Sequence, residues 1–458
     1  MPFSSLLFLL GFLPVSLALD QLVRRFRPGW RVPFLVVLSF VFYGWWDVRL
    51  APLLACSIAM NWLAAELFVR TGQRGVIPIA ITLDLLLLGV FKYLDFFASS
   101  LRVFLEVLPP RYDLALPVGI SFFTFQHVMY LMDLGDGRTG HVGLLRYALY
   151  VAFFPRVIAG PLVRPSEFVP NVERWTCPTD EAERLARGFL LLIAGLAKKV
   201  FLADPLGAVV NPVYAAAEAG ASPTVAEAWQ AALGYTFQLY FDFSGYTDMA
   251  LGIALLFGIV LPQNFNAPYR ADSIQDFWRR WHVTLSLFLR DYLYIRMGGS
   301  RHGLPRQLLA LFATMALGGL WHGAGWTFVA WGSAHGVALG AHLLWRKAGL
   351  AMPGMLGVVC TFSFVALAWV LFRAPNFGTA LAVYKGLFGF APQGTTSSAF
   401  WPMIAVATVL ALVGPTSWDA VQRARPARWV GVAASLLLVA VLLKVGDDAN
   451  FAFLYAQF

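Results

Sequence analysis

The stretch GGLWHGAGWTFVAWGSAHG, residues 318–336, contains no Asp, Glu, Lys or Arg, yet it carries His322 and His335. Where it resides decides the fold. In hydrocarbon an imidazole must find a partner or take part in a reaction, because no water is there to satisfy it. The rest of the chain places it in hydrocarbon. Of 458 residues, 59% are hydrophobic and 13% are charged, too few charges to cover a soluble globule of this size. Apolar runs long enough to cross a bilayer recur around 3–19, 33–46, 50–69, 76–97, 188–203, 308–321, 355–372, 400–414 and 428–444. The expectation is an all-α polytopic membrane protein with about 10 to 13 membrane segments, some of them re-entrant.

Charge placement sets the expected orientation. The first apolar run is followed, not preceded, by Arg24, Arg25, Arg27 and Arg31, which argues for a retained helix over a cleaved secretory signal. Those arginines, with Arg70 and Arg74, put loops 1 and 3 in the cytoplasm and the N-terminus outside. The net charge of +9 is explained by arginines in short loops between spans, and nucleic acid is not expected as a partner. Cys56, Cys177 and Cys360 are too scattered for a disulfide framework, and no metal-binding spacing is present. No linker or internal repeat divides the chain, so residues 1–458 read as a single membrane domain.

Three regions are unusually polar or rich in Gly and Pro for membrane depth: 116–133, 153–168 and 240–294. Irregular backbone is tolerated there only when buried in protein or lining a wet cavity, so these regions are candidate walls of a site. Within 273–297, Leu285, Phe288, Leu289 and Leu293 recur at helical spacing among Arg279, Arg280, Arg290 and Arg296, giving a basic amphipathic interfacial helix. Its positive charge suits a polyanionic cosubstrate such as a CoA thioester, or else anionic lipid headgroups. His141 and His302 read as solvated loop residues, and His335 and His342 as interior structural groups. His322, in the turn-prone WHGAGW, suits proton transfer in acyl transfer: a neutral imidazole accepts a proton from an attacking alcohol and returns it to the leaving group. The glycines beside it permit close approach of substrate. His282, after DFWRRW, either assists or pairs with Asp276 or Asp272. No G-x-S-x-G elbow or phosphate-binding loop occurs.

The motifs LPVGISFFTFQ, FFPRVIAGPLVR, GLAKKVFLADPL, YFDFSGYTDMALGIALLFGI, LPQNFNAPY, DFWRRWHVTLSLFLRDYLY, GLWHGAGWTFVAWGSAHG and WVLFRA, in this order, resemble the membrane-bound O-acyltransferase (MBOAT) family. The closest branch is that of the alginate O-acetyltransferase membrane subunit, with the teichoic-acid D-alanyl transfer protein more distant. The resemblance runs from about residue 40 to the C-terminal FAFLYAQF. One departure is Asp133-Leu-Gly-Asp-Gly, where relatives read D-V-Y-R-G. The resemblance implies a ring of helices around a central funnel or tunnel, with His322 as the catalytic histidine and His282 as the second functional one. Arg279, Arg280, Trp281, Trp321 and Asp276 become candidate substrate contacts. It also implies acetyl-CoA as donor, no tightly bound cofactor, an exported or cell-wall polysaccharide as acceptor, and the bacterial inner membrane as location. A periplasmic acetyltransferase of the SGNH type, AlgJ- or AlgX-like, is the expected partner. The alternatives are esterification of a lipid, loading of D-alanine from a carrier protein and, outside enzymes, a transporter or flippase.

Overall fold

The computed structural model describes residues 1–101, 112, 114–174, 181–390, 400–425 and 427–447. Cys177 and the FAFLYAQF tail lie outside them. In chain order the helices are α1 (Leu7–Phe26), α2 (Arg31–Gly44), α3 (Ala51–Thr71), α4 (Val76–Leu101), α5 (Ile120–Gly135), α6 (Leu144–Ala152), α7 (Pro165–Arg174), α8 (Glu181–Ala197), α9 (Asp204–Glu218), α10 (Val225–Leu256), α11 (Ile274–Arg280), α12 (Val283–Phe288), α13 (Leu304–His322), α14 (Trp326–Lys347), α15 (Gly354–Arg373), α16 (Phe377–Leu387), α17 (Trp401–Leu412), α18 (Ser417–Arg423) and α19 (Arg428–Asp447). No strand occurs among the described residues. Each of the nine apolar runs read from the sequence is helical over most of its length. Among the described residues five helices are long and apolar enough to cross a bilayer, namely α1, Val48–Thr71, α4, α15 and Arg428–Val445. The pair α17 and α18 is bent by 59° at its break, as a broken span or re-entrant loop would be. Several segments are interrupted, with π-helical turns at Gly89–Tyr93 within α4, Lys198–Ala203 and Leu289–Tyr294.

The described residues form two compact units, one drawn from 1–193, 246–262 and 427–447, the other from 194–245 and 263–425. In the first unit the polar groups point inward. Ser57 Oγ lies 2.9 Å from His127 Nε2, His127 Nδ1 lies 2.6 Å from Tyr147 Oη, and Asn61 donates to Asp84 at 2.8 Å. Leu83, Leu85 and Leu86, on the helix that carries buried Asp84, are about half exposed. Polar inside and apolar outside is the arrangement a bilayer solvent selects. Two of the irregular regions read from the sequence meet in this unit. Gly119, with φ +76°, presses against the carbonyl of Val157, and a Cβ there would overlap that oxygen.

The arginines after the first apolar run divide into two kinds. Arg24 and Arg31 both close on buried Asp20, at 2.9 and 3.1 Å, and Arg31 also donates to the carbonyl of Phe257. They are structural cations, which leaves Arg25 and Arg27 as the loop charges of that cluster. His141 is likewise not simply solvated: it sits 2.9 Å from Glu66. Replacing Asp20 by Leu removes the buried carboxylate that both guanidinium groups share. We expect a loss of about 3–5 kcal/mol, read as a lowered thermal midpoint of the detergent-solubilised protein; an unchanged midpoint contradicts the role given to Asp20.

Candidate active site

The second unit holds both histidines singled out by the sequence. Helices α13 and α14 form a hairpin whose turn is Gly323–Gly325. Its helices touch main chain to main chain. A Cβ on Gly319 would overlap the carbonyl oxygen of Phe328, and one on Gly332 would overlap that of Met315; one on Gly336 would crowd Phe312. Small residues at such a seam let helices pack closely where lipid gives no hydrophobic drive. The space beside Gly323 is filled by the ring of Phe328. The glycines flanking His322 therefore serve helix packing, and the expectation that they make room for substrate is not met at Gly319 or Gly323.

His322 is the last residue of α13 and is 4% exposed. Its ring is boxed edge to face by Trp321 at 4.9 Å, Trp331 at 5.2 Å and Phe372 at 5.3 Å between centroids. Trp331 comes from α14 and Phe372 from α15, so three helices fix one imidazole. The aromatic rings of Trp321, Trp331 and Phe372 keep water from it.

His282 is held differently. The sequence reads as one amphipathic helix over 273–297, but the chain breaks at Trp281–His282, where His282 adopts φ +44°. Ser273 caps the first piece by accepting from the amide of Asp276 at 3.3 Å. A non-glycine residue in the left-handed region is strained and persists only when its surroundings hold it. Here Asn264 does so. Its carbonyl accepts from the Val283 amide at 3.0 Å, while its side-chain oxygen takes the Thr284 amide at 3.1 Å and the Thr284 hydroxyl at 3.0 Å. The same oxygen faces His282 Nδ1 at 3.2 Å. An acceptor at Nδ1 selects the tautomer protonated there, which makes Nε2 the basic nitrogen. Asn264 is thus a partner of His282. Asp276 instead binds Arg280 at 2.7 Å.

Rings connect the two histidines. Trp281 lies 5.0 Å from Trp369, which stacks on Trp331 at 5.3 Å, and Trp331 borders His322. On the far side of α11 a cavity of about 630 Å³ is lined by Gln275, Trp278, Arg279, Arg290, His342, Arg346 and Lys347 among others. A second, of about 760 Å³, shares Gln275, Arg279, His342 and Arg346 and adds Asp276 and Arg280. Of the residues proposed from the sequence, Arg279, Arg280 and Asp276 therefore border cationic cavities, whereas Trp281 and Trp321 belong to the aromatic packing. Neither His282 nor His322 is in the lining of either cavity. Sequence reasoning missed Asn264, Trp331, Trp369, Phe372 and the cavity position of His342. All but His342 lie within the quoted motifs, but which rings would converge is a tertiary property. Among the described residues no group of three or more His, Cys, Asp or Glu is placed to hold a metal ion.

Buried imidazoles in an all-helical membrane scaffold beside a cationic cavity outline an integral-membrane transferase. The MBOAT, membrane-bound O-acyltransferase, family signature matches residues 103–383, and the chain belongs to that family. It is 40% identical to the peptidoglycan O-acetyltransferase of Helicobacter pylori, over 84% of this chain and 80% of that one. It is 41% identical to the "Probable alginate O-acetylase AlgI" of Pseudomonas aeruginosa, over 85% of this chain and 75% of the relative. The teichoic acid D-alanyltransferase of Bacillus subtilis is 28% identical over 63% of this chain and 77% of its own length. The protein is a membrane O-acyltransferase.

Three substitutions test the geometry. Gly332→Leu should overpack the hairpin by about 1–3 kcal/mol, lowering the thermal midpoint in detergent, whereas Gly431→Leu, at a position with open space, should not. Asn264→Leu should cut acyl transfer at least tenfold by releasing His282 from its tautomer and its left-handed turn. Full transfer activity in a folded Asn264→Leu protein contradicts the positioning role.

Proposed function

We propose that the chain moves acetyl groups from cytoplasmic acetyl-CoA across the bacterial inner membrane for O-acetylation of an exported or cell-wall polysaccharide. The observation that carries this reading is the hairpin of α13 and α14, with the His322 box toward its turn and the cationic cavity toward its other end. Trp331 and His342 are 11 residues apart on α14, about 16 Å at the helical rise of 1.5 Å per residue. A long, thin thioester arm suits that span. Its phosphates would rest with Arg279, Arg290, Arg346 and Lys347 while its acyl carbonyl reaches His322.

In this reading His322 removes the proton of an acceptor hydroxyl as its oxygen attacks the thioester carbonyl. The C–S bond then breaks, and the thiolate takes the proton from the imidazolium. His282, basic at Nε2, assists proton movement or orientation. The names of the H. pylori and P. aeruginosa relatives support acetyl as the group transferred and a polysaccharide as the final acceptor. A periplasmic acetyltransferase of the SGNH type, AlgJ- or AlgX-like, would complete transfer to the polymer, with the whole chain acting as one membrane domain and its N-terminus periplasmic. The B. subtilis relative favours a second reading, D-alanine delivered from a carrier protein.

His322→Ala should lower acetyl transfer by about 10² to 10⁴-fold, the usual worth of positioned acid–base help, in a protein that still folds. Retained O-acetylation in cells carrying this variant would falsify the assignment. Arg279→Glu with Arg346→Glu should raise KM for acetyl-CoA at least tenfold with a smaller change in kcat. An unchanged KM, with activity supported by a D-alanyl carrier protein, selects the second reading.

A further inference from the structure

This inference rests on the donor reading above and concerns what holds the acyl carbonyl. Trp331, His335 and His342 are spaced by four and seven residues along α14, so one face of the helix carries all three between the imidazole box and the cationic cavity. Trp278, a wall of that cavity, donates its indole Nε1–H to His335 Nδ1 at 3.3 Å. A ring nitrogen that accepts has its lone pair there, so the proton of neutral His335 is on Nε2.

That Nε2–H is fully buried and meets no acceptor among the described residues, and the same holds for Nε1–H of Trp331. Buried donors are satisfied in nearly all native structures, and an orphaned pair one helical turn apart calls for an acceptor from outside the chain. The two rings lie 4.9 Å apart, and Trp331 is 5.2 Å from His322. Their other neighbours include Phe364 and Phe372, whose rings supply no lone pairs.

We propose that Trp331 Nε1–H and His335 Nε2–H receive the carbonyl oxygen of the acyl donor beside His322. Both donors are fixed by packing and kept from water, so they favour the oxygen most when attack places negative charge on it. Trp278 acts one step back as a positioning residue. By occupying Nδ1 it selects the tautomer of His335 that can donate toward the substrate, and it also forms the wall the thioester must pass on leaving the cavity.

The test compares binding of acetyl-CoA with that of S-ethyl-CoA, a thioether of similar size without the carbonyl oxygen, to the purified full-length protein. Wild type should prefer acetyl-CoA by about tenfold or more, the worth of a net hydrogen bond or two. In W331F and H335F the preference should fall toward one while S-ethyl-CoA binds as before, and H335Q, which keeps an N–H, should restore part of it. Unchanged S-ethyl-CoA affinity reports an intact fold for each variant. Should H335F lose that affinity, H335M takes its place. W278F should reduce the preference and, because it acts through the tautomer, should lower kcat more than it raises KM. A preference that survives in W331F and in the His335 variants overturns the carbonyl assignment while leaving the donor reading standing. Failure of wild type to bind either CoA compound overturns the donor reading itself, and this inference with it.

Discussion

Main-chain contact between α13 and α14 is the constraint on which the rest of the second unit depends. Gly319 and Gly332 bring the two helices together at the distance their carbonyls allow, and a methyl group on either would push them apart. Within a bilayer no expulsion of water drives helices together, so such contact must supply the adhesion. It also fixes the site. His322 ends one helix of the pair and Trp331 stands on the other, and α15 adds Phe372 and Trp369 to complete the aromatic enclosure.

The two histidines illustrate different ways of holding a titratable ring in a dry interior. His322 is held by shape, between aromatic edges and faces. His282 is held by polarity, through an amide oxygen that also ties down the following residues of a broken helix. A ring packed among aromatic faces is oriented by contact; a ring committed through one nitrogen has its other nitrogen defined. Together with the arginines on the opposite side of α11, they give the unit a polarity along its length, charged at one end and apolar around the imidazole.

Much of this was legible in the sequence because hydropathy and charge are local. The nine apolar runs are helical, and the resemblance carried by eight ordered motifs is matched by the family to which the chain belongs. What the sequence concealed was pairing at a distance. Nothing in LPQNFN announces that Asn264 will meet His282, and a helical period over 273–297 cannot reveal a residue forced into the left-handed region. Loop arginines were over-counted for the same reason, since Arg24 and Arg31 acquire their roles only when Asp20 folds against them. Glycines beside His322 suggested access to a substrate, whereas their neighbours turned out to be another helix and the ring of Phe328.

The bare seam between α13 and α14 also limits how such an enzyme can diversify. Because backbone meets backbone there, any larger side chain is penalised whatever its chemistry, and the spacing between imidazole and indole is inherited as a fixed dimension. Divergence in what is esterified must then arise on elements whose side chains still have room to vary, the rims of the arginine-lined cavities among them, while the hinge of the hairpin stays as it is.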